Sequence, residues 1–193
     1  MACFCHKLHI TTKGELISMK NMKKISLLII AISTIAAAQL RVGIDMSRDM
    51  SMGGALGSLL GDVEIEGTGL TIGYEQTLLS LAGVGAEYTM GGDEGLDMFY
   101  TYAVAKIPVG LPMFRGIARA GYSIPLGDGG DEYDAGLAYG IGLRFKLPLF
   151  PIGAEAHYTM HNLELKDDGD LGGLLDDLGI TYKVMNLTVT YSF

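Results

Sequence analysis

The chain contains no tryptophan and only two cysteines, Cys3 and Cys5, both within its first five residues. That leaves the rest of the chain without a disulfide framework or a Cys/His zinc set. Charge is sparse, at 19% Asp, Glu, Lys and Arg, and positive charge is the scarcer sign, with 14 basic against 22 acidic residues. A nucleic-acid partner needs the opposite balance. No apolar run reaches the roughly 20 residues of a membrane-crossing helix. If the chain lives in a membrane, only a closed β-barrel is left to span it, because every backbone polar group must be satisfied internally.

What is abundant is glycine, at 28 residues, together with ten tyrosines and short runs of alternating polarity. Twice the ordinary glycine share of about 7% suits a β-protein with crowded interior positions. One domain is expected at this length.

The N-terminal segment reads as a targeting signal. Met22, Lys23 and Lys24 form a basic start, 25–36 is an apolar stretch, and Ala36-Ala37-Ala38 is a small-residue cleavage site. The reading is that 1–21 is an over-called start, 22–38 is a cleaved signal peptide, and 39–193 is the mature chain. The mature part then carries nine basic and 21 acidic residues, a net charge of −12.

The mature chain alternates in polarity over eight segments, 39–47, 67–76, 83–90, 97–107, 113–124, 135–147, 152–163 and 182–193. Period-two alternation is the mark of strands with two unlike faces. In the last segment Met185, Leu187, Val189, Tyr191 and Phe193 face one way, and Asn186, Thr188, Thr190 and Ser192 the other. Above Met185, Ile180, Tyr182 and Val184 fall out of phase, which predicts a bulge or a strand extension there. The fourth segment is ambiguous, and Tyr100, Tyr102 and Val104 are assigned to its apolar face. Connections alternate between short, 77–82, 108–112 and 148–151, and long, Gly-rich and acidic, 48–66, 91–94, 125–134 and 164–179. Short turns at one end and long loops at the other are the arrangement of membrane barrels.

The face opposite the apolar one collects Arg41, Asp45, Glu75, Glu87, Arg115, Arg119, Arg144, Lys146, Glu155, His157 and His161. Near-balance of sign is expected if these groups fill a narrow lumen, where buried charges must be paired. A lysine or arginine facing lipid at mid-membrane costs about 2–4 kcal/mol, so the apolar face is expected to face lipid. Tyr88, Phe114, Tyr122, Tyr139, Phe145, Tyr158 and Phe193 are spaced to form aromatic girdles at its two margins.

With a signal peptide, eight alternating strands and the ending Val189-Thr190-Tyr191-Ser192-Phe193, the segment 39–193 resembles the small eight-stranded outer-membrane barrels of the OmpA/OmpX type. The resemblance implies an all-β, antiparallel up-and-down transmembrane barrel in the outer membrane of a Gram-negative envelope. It also implies surrounding outer-membrane lipid and engagement of the barrel-assembly machinery through the terminal Phe193.

Function is less sharply drawn. A structural or surface-interaction role through the acidic loops, with a partner protein or a divalent cation, is the leading expectation, with no cofactor and no enzymatic activity. Asp128, Asp131, Asp167, Asp168 and Asp170 supply carboxylates of the kind Ca²⁺ takes, although no full calcium-loop spacing is present. The leading alternative is a soluble, secreted lipocalin-like barrel around a small apolar ligand. The missing Trp removes the usual Gly-x-Trp start of that family, and the charged face counts against it. A lipid A-modifying enzyme is the remaining reading, resting on His157 and His161. An open pore conflicts with an eight-stranded interior, which is just wide enough for side chains.

Overall fold

A computed structural model describes residues 38–53, 61–79, 81–92, 94–166 and 179–193. The expected N-terminal signal, and Asp167, Asp168 and Asp170 with it, lie outside the described residues. Eight long strands make the wall: β1 (Ala38–Met52), β3 (Leu70–Leu79), β4 (Ala82–Met90), β5 (Asp97–Pro108), β6 (Phe114–Leu126), β8 (Gly136–Lys146), β9 (Ile152–Leu165) and β10 (Gly179–Ser192). Among the described residues, two short strands, β2 (Val63–Glu64) and β7 (Tyr133–Asp134), and one five-residue helix, α1 (Asp128–Glu132), sit between them.

Each long strand pairs antiparallel with its neighbour in sequence, and β10 pairs with both β9 and β1. The sheet therefore closes on itself and leaves no long edge to be covered. Gln39 lies opposite Ser192 and Ile44 opposite Leu187 at the seam.

The alternation dictates which way the wall faces. Leu40, Val42 and Ile44 on β1, Leu137, Tyr139, Ile141 and Leu143 on β8, and Leu187, Val189 and Tyr191 on β10 are exposed on the outside. Between them Arg41, Asp45, Arg119, Arg144, Glu155 and Thr188 are almost wholly buried inside. Oil outside and ions inside is the reverse of a water-soluble barrel, and it is the arrangement a bilayer requires.

One sequence expectation is corrected and another resolved. Tyr100, Tyr102 and Val104 point inward, and Phe99, Thr101, Ala103 and Ile107 point out. Lys106 decides the matter, because it shares their parity and would otherwise face lipid. The second concerns β10. Of the bulge or strand extension expected there, β10 has the extension: it starts at Gly179 and even-numbered residues face inward from Ile180 to Thr190, with no bulge on this strand. The bulge is on the partner strand, where Asp45 pairs with Asn186 and Ser47 with Met185, leaving Met46 as an extra residue.

The phase change in the sequence marks a change of environment rather than of geometry. Towards the short-turn end the inward residues of β10 are Asn186, Thr188 and Thr190. Towards the long-loop end they are Ile180, Tyr182 and Val184, while Thr181 and Lys183 face out. Here the interior is apolar: Met98, Leu163, Tyr182 and Val184 pack together, with Met50, Ile65, Leu96 and Tyr133 against them. This cap follows the rule of a water-soluble barrel, apolar within and polar without. Burial, then the neighbouring Glu132 charge, raise the Tyr133 phenol above its ordinary pKa. Arg48 anchors the cap by donating to the carbonyls of Gly91 and Glu66, joining the loop after β1 to the one after β4.

Candidate functional site

The middle of the lumen is a single ion-pair network drawn from seven strands. Arg41 from β1 lies between two carboxylates. Its Nε donates to Glu87 Oε1 at 2.6 Å, and its Nη1 and Nη2 donate to the two oxygens of Glu155 at 3.0 and 2.9 Å. Arg119 bridges the same two acids, at 3.1 Å to Glu87 and 2.5 Å to Glu155. Arg144 donates through Nε to Glu155 at 2.6 Å, and its Nη1 and Nη2 fork onto Glu75 at 3.0 and 2.9 Å. Lys106 meets Glu75 at 2.9 Å and donates to Thr77 Oγ1 at 2.6 Å. Paired arginine–carboxylate forks are among the stronger charge-assisted bonds. Pairing is what allows charge to be buried at all, since a buried ion stripped of its partner costs about 3–5 kcal/mol.

Glycine makes room for these long side chains. A Cβ on Gly73 would lie 2.5 Å from Glu87 Cγ, and one on Gly85 would lie 2.5 Å from the Tyr102 ring. Tyr102 donates to Glu87 at 3.1 Å, and the Arg119 guanidinium stacks over its ring at 4.5 Å.

Above the network, hydrogen bonds replace ion pairs in the lining. Asp45 accepts from Asn186 at 2.8 Å and from Thr71 at 3.4 Å. His157 Nδ1 shares a hydrogen bond with Thr159 at 2.9 Å. Its ring lies against Gly140 and Gly142, where a Cβ would come within 2.7 Å of it. A cavity of about 30 Å³ is bordered by Asp45, Glu87, His157 and Asn186 together with Met98 and Val184. One level higher Ser123 Oγ and His161 Nδ1 share a hydrogen bond at 2.6 Å. The His161 ring stands edge-on to Tyr100 and is tilted against Tyr182.

Of the eleven charged or imidazole residues expected in the lumen, Arg41, Glu75, Glu87, Arg119, Arg144 and Glu155 thus meet in one network. Asp45, His157 and His161 line the level above it. Lys146 is half-buried near the short-turn end and donates to Ser192 Oγ at 2.8 Å. Arg115 departs from the expectation. It is exposed at the rim of the mouth, at the start of β6 where the wall has run out. Sequence reasoning missed Lys106, Tyr100, Tyr102 and Ser123. Lys106 was itself the available signal, since a lysine two residues from Val104 fixes the parity of β5.

On the outer surface Phe114 packs on Phe145 at 5.1 Å and Tyr191 on Phe193 at 5.3 Å near the short-turn end. Near the other end Tyr88 donates to Asp97 at 3.1 Å and Tyr122 to the Ala135 carbonyl at 2.9 Å. Tyr139 is exposed there and Tyr158 half-buried. Asp128 and Asp131 lie in α1, and no group of three or more potential metal ligands occurs among the described residues.

A sealed antiparallel wall, apolar outside and ion-paired within, defines an eight-stranded barrel of the outer-membrane type. No protein-family model matches the chain, and no curated protein matches it. Among solved structures it is similar to the crystal structure of Neisserial surface protein A, at 10% identity and a TM-score of 0.51, over 81% of this chain and 97% of that one. The N-terminal β-barrel domain of Pseudomonas aeruginosa OprF matches at 10% identity and a TM-score of 0.47, covering 80% and 97% of the two chains. Ail, the attachment invasion locus protein of Yersinia pestis, matches at 15% identity and a TM-score of 0.41, over 80% and 97%. At 10% identity the likeness to the Neisserial protein is one of fold.

Proposed function

We propose that the protein is an integral outer-membrane barrel with a structural or surface-interaction role, carried across the inner membrane by its N-terminal signal. In this reading the short turns face the periplasm, the long acidic loops face outward, and the aromatic residues at the two margins are interfacial girdles. Phe193 is the feature offered to the barrel-assembly machinery, and the loops are the surface for an external protein or a divalent cation. The observation that carries the reading is the inverted wall, with an outer belt of Leu, Val, Ile and Tyr around the Arg41–Glu87–Glu155–Arg119 network.

The same network argues against the alternatives. A lipocalin-like carrier needs an apolar chamber, and here the middle of the lumen is filled with ions. An open pore needs a continuous water path, and the cap of Met98, Leu163, Tyr182 and Val184 lies across it. The Ser123–His161 pair resembles half of a nucleophilic dyad, yet both residues are buried and His161 meets aromatic rings rather than a carboxylate. Its place is structural.

Membrane fractionation combined with heat-modifiable gel mobility tests the placement. The expected result is an outer-membrane protein that migrates differently when unheated. Recovery in the soluble periplasmic fraction without detergent would reject it. Deletion of 167–178 with the barrel intact then separates the two roles, because a surface-interaction role is lost and an anchoring role is kept.

A further inference from the structure

The short-turn end of the barrel is built unlike the rest of it. Its mouth opens into a cup of about 770 Å³, within the size range of small-molecule sites. Lys106, Arg115, Arg144 and Lys146 all line this cup, and among the described residues none of those lining it is acidic. Arg115 lies directly across the β6–β8 ladder from Arg144, a like-charge facing that opposes strand pairing. The network just above does not cancel this charge. Its four cations, Arg41, Lys106, Arg119 and Arg144, share three carboxylates, Glu75, Glu87 and Glu155. Among the described residues the excess is positive before Lys146 is added.

The rim around this basic cup is oily. The three short turns, 78–81, 109–113 and 147–151, contain no charged residue. Leu78, Leu81, Val109, Leu111 and Phe150 are exposed on them, and Leu149 is fully so. Leu149 also holds a left-handed backbone, φ 75°, a region that a bulky side chain rarely occupies. Turns in water favour Gly, Asn, Asp and Ser. Turns that rest in a lipid interface favour what is seen here.

We infer that the cup binds the phosphate headgroup of an acidic phospholipid from the inner leaflet of the outer membrane. The uncharged turns seat the mouth at headgroup depth. A lipid beside the 147–151 turn places its phosphate between Arg115 and Lys146 and leaves its chains against Leu149 and Phe150. This goes beyond the proposed surface role and is independent of what the loops bind. It needs only the membrane setting, which fractionation tests separately.

Native mass spectrometry of the detergent-solubilised protein, titrated with phosphatidylglycerol or phosphatidylcholine, reads the site directly. Phosphatidylglycerol is expected to be retained in preference to phosphatidylcholine. The double variant Arg115→Gln/Lys146→Gln is expected to weaken its retention by about tenfold or more, with Lys183→Gln at the opposite end as the unaffected control. Leu149→Gly suits the backbone conformation and removes the apolar contact, so it is expected to fold and to retain less lipid. A photoactivatable phosphatidylglycerol, applied to the unaltered protein, is expected to crosslink to 147–151, and this arm does not depend on any variant folding. Equal retention of the two lipids, or crosslinks confined to the outer belt, would overturn the assignment. So would full competition by inorganic phosphate, which would make the cup a site for a soluble anion.

Discussion

Arg41 and Glu155 meet in a two-bond fork across the centre of the barrel, although 114 residues separate them in the chain. The carboxylate is shared with Arg119 and Arg144, so three guanidinium groups converge on one buried acid. Glu75 is the second hub, meeting Arg144 and Lys106 at 2.9 Å.

Glu155→Gln should therefore be a strongly damaging conservative change inside the wall. It keeps the shape and removes the charge on which three buried cations depend, so a loss of about 3–5 kcal/mol is expected. Urea-induced unfolding in detergent measures it. An effect no larger than that of Lys183→Gln, whose ion pair with Asp62 is exposed, would show that the network is not a principal support.

Leu187→Arg tests which side of the wall meets lipid. Leu187 is exposed on the outer face, in register with Ile44 and Ala156. An arginine there is expected to cost about 2–4 kcal/mol and to lower the yield of inserted barrel. Thr181→Arg, on the same face of the same strand but level with the cap, should be accepted. Equal tolerance at the two positions would contradict the inverted wall.

Gly85→Ala tests the space reserved for Tyr102. The added methyl would lie 2.5 Å from the ring, so the ring must move off Glu87 and away from beneath Arg119. Overpacking of this kind costs about 1–3 kcal/mol. Adding Tyr102→Phe, which removes the donated bond, should cost less in the Gly85→Ala background than in the parent. A double-mutant cycle on unfolding free energies reads the coupling.

Leu163→Ala should open a hole in the cap, with a loss of about 2–5 kcal/mol. Ile141→Ala, which removes a lipid-facing side chain, should cost much less. Planar-bilayer recordings add a second readout. The parent barrel is expected to show no stable large conductance, and Leu163→Ala more frequent small openings.

Much of the fold was legible because a barrel wall has only two kinds of face. Segments such as 118–124 and 152–161 alternate without interruption, and glycine, charge or another polar group on one face against Ala, Tyr, Ile or Met on the other settles their direction. The 97–107 strand was misread because tyrosine suits either environment. A phenol can sit at a membrane margin or donate to a buried carboxylate, as Tyr102 does to Glu87. The network was legible as a set of residues but not as pairs, since Arg41 reaches Glu155 across the lumen and not along a strand. Arg115 has the parity of Arg119 but sits one turn too close to the end of the wall, and parity alone carries no depth. The cap was invisible for a related reason: Ile180, Tyr182 and Val184 break the polarity pattern while the backbone runs on unchanged.

That unchanged backbone means that no single solvent suits the whole of β10. Its lower stretch is content in a hydrocarbon belt, whereas the stretch from Ile180 to Val184 keeps its place only if water surrounds it. Conditions that dehydrate the outer surface, such as concentrated alcohols, should loosen the top of the molecule first. The ion-filled middle should stay locked, so that the two levels melt as separate events within one continuous sheet.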